Sequence, residues 1–224
     1  MSVALSTKTA AAETEGLEAY LQQKDTAFAW KLISKKTSGD FTILQLQMVS
    51  QKWRGNKWTH EMLVVRPKAV RSSDIGFLLV GGGESPASHL TSLKLLAERA
   101  GAITAFISQV PNQPLFNGLS EDALIAYTFD QFLRSGDATW PVLFPMVKSA
   151  VRGLDTIQAV AEKEFDQKIE RFVVAGASKR GWTTWLTAAV DARVAGIAPM
   201  VFDMLNMKVQ TAWSQKVYGR QSDM

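Results

Sequence analysis

The chain has 224 residues, of which 46% are hydrophobic and 21% are charged, and it contains no cysteine. That length and composition are typical of one globular domain, and no apolar run reaches the roughly 18 residues that a membrane-spanning helix needs. The 25 basic residues are scattered among 21 acidic ones, so binding to nucleic acid is not indicated. Without cysteine, disulfides, a thiol nucleophile and a thiolate metal site are excluded. We expect no cofactor and no metal.

The first third of the chain predicts a short helix followed by an antiparallel β-meander. Residues 1–15 are small and polar, and we expect a flexible N-terminus there, followed by a helix at 16–23. Three segments rich in β-branched and aromatic residues then alternate with glycine-containing turns at 38–40 and 54–56. The predicted strands are 28–36, 41–52 and 57–65. We expect this meander to pair with the edge of a larger sheet.

Strand and helix patterns alternate from Gly76 onward, which is the signature of a parallel sheet covered by helices. Short apolar segments predict strands at 76–80, 102–107, 171–175 and 194–201. Helix patterns lie at 88–99, 121–134, 143–161 and 179–190. We therefore expect an α/β fold with a mostly parallel sheet, in which Val174 and Ile197 lie in adjacent parallel strands.

One of these strand-to-helix turns has the sequence GASKRG at 176–181, with Ser178 inside it. The nucleophile elbow of the α/β-hydrolase fold places a serine at strained backbone angles, and it needs small neighbours such as these glycines and alanine. We interpret Ser178 as a nucleophile, with the Lys179 N–H at the helix N-terminus as the first oxyanion donor. The alternative is that Ser178 only caps the helix.

A second oxyanion donor is predicted in the glycine run at 81–83, which follows the strand at 76–80. An α/β-hydrolase places a glycine-rich loop there, so the N–H of Gly82 or Gly83 is the candidate. The run does not fit either common phosphate-binding pattern. The alternative is a tight turn without a catalytic part.

Two positive charges, on Lys179 and Arg180, stand at a helix N-terminus, where acidic residues are normally favoured. One explanation is an anionic substrate or oxyanion beside the nucleophile. The other is a salt bridge to a buried acid elsewhere in the fold. The sequence alone leaves both open.

The other members of a catalytic triad are not evident. In this fold the acid and the histidine follow the serine, yet the only two histidines, His60 and His89, both precede Ser178. Asp203, at the end of the last predicted strand, is a candidate acid, with a turn former or helix cap as the alternative. We interpret His60 as a surface or structural residue and His89 as a further candidate near the site.

Several longer motifs allow the chain to be compared with a known family. They are QVPNQPL at 109–115, EDALIAYT at 121–128, GASKRGWTT at 176–184, IAPM at 197–200 and DMLN at 203–206. With these motifs the chain resembles the PhoPQ-activated pathogenicity-related family, which also includes autocrine proliferation repressor proteins. The elbow also resembles that of glucuronoyl esterases, in which a cationic residue follows the serine. This resemblance implies that Lys179 helps to hold the oxyanion.

The family resemblance implies an α/β-hydrolase scaffold in an exported protein about twice this length. We therefore expect residues 16–224 to form the N-terminal portion of a hydrolase domain, with the last predicted strand at the edge of the sheet. The apolar residues expected to be exposed near that edge are Met200, Phe202, Met204, Leu205 and Met207.

The predicted function is hydrolysis of an ester or peptide bond in a small-molecule or peptide substrate. The alternative is a non-catalytic secreted effector that uses the hydrolase scaffold to bind a protein partner.

Overall fold

Seven strands and six α-helices make up residues 16–202 and 206–219, which are the part of the chain that the computed structural model describes. The strands are β1 (Ala29–Ser38), β2 (Phe41–Trp53), β3 (Asn56–Pro67), β4 (Ile75–Val80), β5 (Ile103–Ile107), β6 (Arg171–Ala177) and β7 (Val194–Met200). The helices are α1 (Gly16–Gln22), α2 (Leu90–Ala100), α3 (Glu121–Ser135), α4 (Leu143–Phe165), α5 (Lys179–Val190) and α6 (Met207–Tyr218). A 3-10 turn, Pro86–His89, precedes α2.

All seven strands form one sheet in the order β1-β2-β3-β5-β4-β6-β7. The pairs β4–β5, β4–β6 and β6–β7 are parallel, whereas β1, β2 and β3 form the predicted antiparallel meander, which joins the sheet through β5. Val174 pairs with Leu78 on one side and with Ile197 on the other. The predicted α/β fold, with its meander and parallel strands, is confirmed.

Helices cover both faces of the sheet. The long helix α4 buries much of its length against one face, where β2 contributes Leu44, Leu46 and Met48. On the other face, α2 packs Leu93 and Ala97 against β3 and β5. Within the described ranges, no helix is long and apolar enough to cross a membrane.

The sheet is poorly covered at its β7 end. β7 is an edge strand there, and none of its residues is buried. Met200 and Met207 are 43% and 40% exposed, as expected, whereas Phe202 is half-buried. Met204 and Leu205 lie outside the described residues, as do the predicted N-terminus at 1–15 and Asp203. Helix α6 was not predicted.

Candidate active site

Ser178 lies between the end of β6 and the start of α5, with φ 54° and ψ −123°. A positive φ is uncommon for a residue with a side chain, and a sharp, strained turn of this kind is what the predicted nucleophile elbow requires. The Ser178 N–H donates to the carbonyl oxygen of Met200, at 2.9 Å. Its side chain makes no capping hydrogen bond to α5, so the alternative that Ser178 serves as a side-chain cap is wrong.

The two glycines around Ser178 allow α5 to begin very close to the strands. A Cβ on Gly176 would lie 2.5 Å from the backbone oxygen of Arg180. A Cβ on Gly181 would lie 2.9 Å from the Cβ of Phe202 and 3.1 Å from the Met200 oxygen. The first turn of α5 therefore packs directly on β6 and on the end of β7, which accounts for the spacing of the glycines.

The glycine loop at 81–83 leaves the sheet beside this elbow. Val80 of β4 pairs with Gly176 of β6, so Gly82 and Ser178 each lie two residues beyond a paired position at the same edge of the sheet. The N–H of Gly81 donates to Ile107, at 2.8 Å. Among the described residues, the N–H groups of Gly82 and Gly83 have no acceptor. They remain available to a ligand.

The tight-turn interpretation explains only part of this loop. A Cβ on Gly81 would collide with the ring of Phe106, and a Cβ on Gly82 would lie 2.7 Å from Nη2 of Arg180. Around Gly83 there is open space. Packing therefore requires the first two glycines and does not require the third.

Arg180 connects the elbow with the glycine loop and with the loop that follows β5. Its Nε donates to the carbonyl oxygen of Val110 at 2.6 Å, and its guanidinium lies against Gly82. Its two terminal nitrogens donate to the two carboxylate oxygens of Glu121, at 2.9 and 2.7 Å. Such a bidentate pair fixes orientation as well as distance. The Arg180 side chain is 10% exposed, so the pair is largely shielded on that side.

Glu121 forms ion pairs with both cations that follow Ser178, Lys179 and Arg180. The hydrogen bonds from Arg180 lower the pKa of its carboxyl to about 2, with smaller contributions from Gln113 and Lys179, although partial burial opposes the charge. Gln113 also bonds Glu121 twice, through the backbone N–H and through the carboxylate. The carboxylate is therefore ionised and held in place at neutral pH.

The Lys179 ammonium lies 3.0 Å from Asp122 and 3.3 Å from Glu121. Burial opposes the charge of Lys179, but these hydrogen bonds outweigh that effect and raise its pKa. Both cations at the elbow are thus paired with acids at the start of α3. The salt-bridge explanation accounts for them, although the acids are only partly buried.

The two histidines occupy structural surroundings. His60 is fully buried on β3, with Nε2 2.8 Å from the Ser50 hydroxyl and Nδ1 2.9 Å from the Ser108 carbonyl oxygen. Burial lowers its pKa to about 4, so it is neutral at pH 7. His89 stacks on Phe106, with ring centroids 4.0 Å apart.

The sequence analysis did not predict that Glu121 and Gln113 lie near the elbow, where Glu121 binds Arg180 and Gln113 binds Glu121. Both lie in motifs that carry the family resemblance, but no local pattern indicates that they meet Arg180. The described residues contain no group of three or more His, Asp or Glu side chains that could hold a metal ion.

Comparison with protein families shows which family the chain belongs to. The model of the PhoPQ-activated pathogenicity-related protein family matches residues 17–224. The chain belongs to that family. Autocrine proliferation repressor protein A of Dictyostelium discoideum is 34% identical over 222 residues, with 92% of this chain and 44% of that protein covered. This member of the PhoPQ-related family therefore spans less than half the length of that curated relative.

Two solved structures similar to this PhoPQ-related chain are esterases. Acetyl xylan esterase 1 from Thermoanaerobacterium sp. has a TM-score of 0.56 at 13% identity, covering 92% of this chain and 67% of that one. Glucuronoyl esterase from Solibacter usitatus has a TM-score of 0.51 at 15% identity, covering 78% and 52%. At these identities the likeness concerns the fold, which is of the α/β-hydrolase type.

Proposed function

We propose that this protein is a serine hydrolase that cleaves ester bonds, with Ser178 as the nucleophile. The observation that carries the proposal is the backbone of Ser178, held at φ 54° between β6 and α5 with its side chain free of any capping role. The structurally similar acetyl xylan and glucuronoyl esterases favour an ester over a peptide bond.

In the proposed reaction the Ser178 hydroxyl attacks the carbonyl carbon and transfers its proton to a base, giving a tetrahedral intermediate. The Lys179 N–H has no partner one turn earlier, because Lys179 is the first residue of α5. That N–H and the N–H of Gly82 or Gly83 stabilise the oxyanion. Collapse of the intermediate breaks the bond to the alcohol, which leaves with the proton held by the base, and gives an acyl ester of Ser178. Water then passes a proton to the same base and attacks this ester, which releases the acid and restores the Ser178 hydroxyl.

We assign no base among the described residues. His60 is bonded at both ring nitrogens, and the order of the fold places the acid and the histidine after the serine. Asp203 stays a predicted acid. The Lys179 ammonium is paired with Asp122 and Glu121. We therefore propose that Lys179 stabilises the oxyanion through its backbone N–H and not through its side chain.

The test is labelling with a fluorophosphonate, which reacts with activated serines. The protein is incubated with the probe, and the labelled peptide is identified by mass spectrometry. We expect label at Ser178, loss of label in Ser178→Ala, and unchanged label in Ser88→Ala, an exposed serine on the 3-10 turn. Label that persists in Ser178→Ala, or a folded protein that takes none, contradicts the proposal.

A second candidate is a non-catalytic effector, because the curated relative is named as a repressor of proliferation. On that proposal the hydrolase scaffold binds a protein partner and Ser178 has no chemical role. This second function is supported over the first if the folded protein takes no fluorophosphonate label and if wild type and Ser178→Ala have the same effect on cell proliferation.

A further inference from the structure

A polar cleft of about 400 Å³ opens beside the glycine loop. Gly83, Glu84 and Ser85 form one wall, and side chains of β2, β3 and the loop after β5 form the other. Gly83 follows directly on Gly82, so the cleft begins at the loop that carries the proposed oxyanion donors. Its lining contains hydroxyl, amide and carboxylate groups.

A row of hydrogen-bonding residues across three strands begins on the floor of the cleft, with Glu61 and Gln47, and continues beyond the cleft to Lys31. Lys31 of β1 pairs with Gln47 of β2, and Gln47 pairs with Glu61 of β3. Paired residues project from the same face of a sheet, about 4.8 Å apart from strand to strand. Glu61 is joined through its backbone to Ser108. The row therefore extends from the β1 edge to the loop that follows β5.

This face of the meander is open. Helix α2 covers β3 only further along the strand, at Leu63 and Val65. A second groove of about 280 Å³ continues from the cleft over the open part and shares Gln47, Glu61 and Ser85 with it. The two together can hold a ligand longer than one ring.

The charges around the cleft decide which ligands suit it. Lys179 and Arg180 are paired with the acids of α3, so they present little net charge to a substrate. Within the described part of the chain Glu61 and Glu84, which line the cleft, have no ion pair, and neither has Lys31, which lines only the second groove. Unpaired carboxylates accept hydrogen bonds from hydroxyl groups and repel anions.

We propose that this cleft binds the uncharged, hydroxyl-rich part of the substrate, a neutral sugar chain, and disfavours an anionic one. Gln47 and Glu61 are the specificity residues, and they bond sugar hydroxyls from the floor of the cleft. The inference rests on the proposed hydrolase function for the position of the scissile bond. It replaces the expectation of an anionic substrate.

The test measures binding to Ser178→Ala by calorimetric or NMR titration with xylotetraose and tetragalacturonate, which differ in charge. We expect xylotetraose to bind at least about ten-fold more tightly, since burying an unpaired charge near like charges is costly. Gln47→Ala and Glu61→Gln should each weaken xylotetraose binding about three- to ten-fold, as expected for one lost hydrogen bond. Glu61→Gln should also reduce the ratio of the affinity for xylotetraose to the affinity for tetragalacturonate.

The matched control is Glu98→Gln, which removes an exposed carboxylate of α2 outside the cleft. It should change neither affinity, and thermal unfolding checks that every variant is folded. Tighter binding of tetragalacturonate, absence of xylotetraose binding, or binding unchanged in both cleft variants overturns the inference. If Ser178 is labelled by the fluorophosphonate but no sugar binds, the sugar-binding inference is wrong and the proposed hydrolase function stands. If sugar binds but Ser178 is not labelled, the hydrolase function is wrong and the sugar-binding inference stands.

Discussion

Arg180 and Glu121 lie 59 positions apart in the chain and are joined by two hydrogen bonds of 2.7 and 2.9 Å. A lysine cannot reproduce this bidentate geometry and would also lose the bond to Val110. We therefore expect Arg180→Lys to lower the free energy of unfolding by about 1–3 kcal/mol.

Chemical denaturation measures this loss, and Arg134→Lys is the matched control. Arg134 pairs with Asp130 on the surface, where the arginine side chain is 74% exposed, and such pairs contribute at most about 0.5 kcal/mol. Equal effects of the two substitutions would show that the buried pair has no special weight.

The same pair predicts a pH dependence in acid. The pKa of Glu121 is lowered from 4.5 to about 2 in the folded protein. A depressed pKa means that the stabilisation is present above pH 4.5 and is lost as the pH falls towards 2. Glu121→Gln should therefore show a shallower loss of stability than the wild type across this window. Denaturation midpoints at pH 4.5, 3.5 and 2.5 measure the difference, and parallel curves would contradict it.

Local patterns predicted the strands, the α5 boundary and the elbow, because period, glycine placement and chain order are all local features. The contact between Arg180 and Glu121 is not local, and one sequence carries no signal for it. The cleft depends on the pairing of Gln47 with Glu61, which lies beyond a register shift between Val49 and Gln51 that the turn sequence does not reveal. Helix α6 has no buried residues. Its sequence therefore lacks the apolar stripe by which a core-facing helix is predicted.

Gly82 and Gly83 are neighbours that we expect to respond differently to the same substitution. The Cβ of Gly82→Ala would lie 2.7 Å from Arg180 and push the guanidinium away from Glu121, at a cost of about 1–3 kcal/mol. Gly83→Ala enters open space and should stay within about 0.5 kcal/mol of the wild type. Thermal unfolding measures both, and a destabilised Gly83→Ala with a neutral Gly82→Ala would contradict the packing argument.

His60 predicts a second pH window, between its unfolded and folded pKa values. Burial lowers the pKa from 6.5 to about 4, so the unfolded chain binds a proton here that the folded protein does not. Stability should therefore fall as the pH decreases from 6.5 to 4, by up to roughly 3 kcal/mol. His60→Gln should remove this slope. Denaturation at pH 7, 5.5 and 4.5 tests it, and an unchanged slope in the variant would exclude His60 as the cause.

The strained backbone at Ser178 predicts that the protein with glycine at this position is more stable than the protein with alanine, although both lack the proposed nucleophile. A residue with a Cβ at φ 54° and ψ −123° costs about 1–3 kcal/mol, whereas glycine adopts positive φ freely and loses only about 0.5–1 kcal/mol in chain entropy. Ser178→Gly should therefore be more stable than Ser178→Ala by about 1 kcal/mol, while neither takes fluorophosphonate. Ser120, with φ −141° and ψ 159°, is the matched control, because it also stands at a helix N-cap, where glycine is favoured over alanine, but has no positive φ. The stability difference between the glycine and alanine variants should therefore be larger at Ser178 than at Ser120. If Ser178→Gly unfolds at a lower denaturant concentration than Ser178→Ala, the elbow is not strained and the main support for a nucleophile at this position is lost.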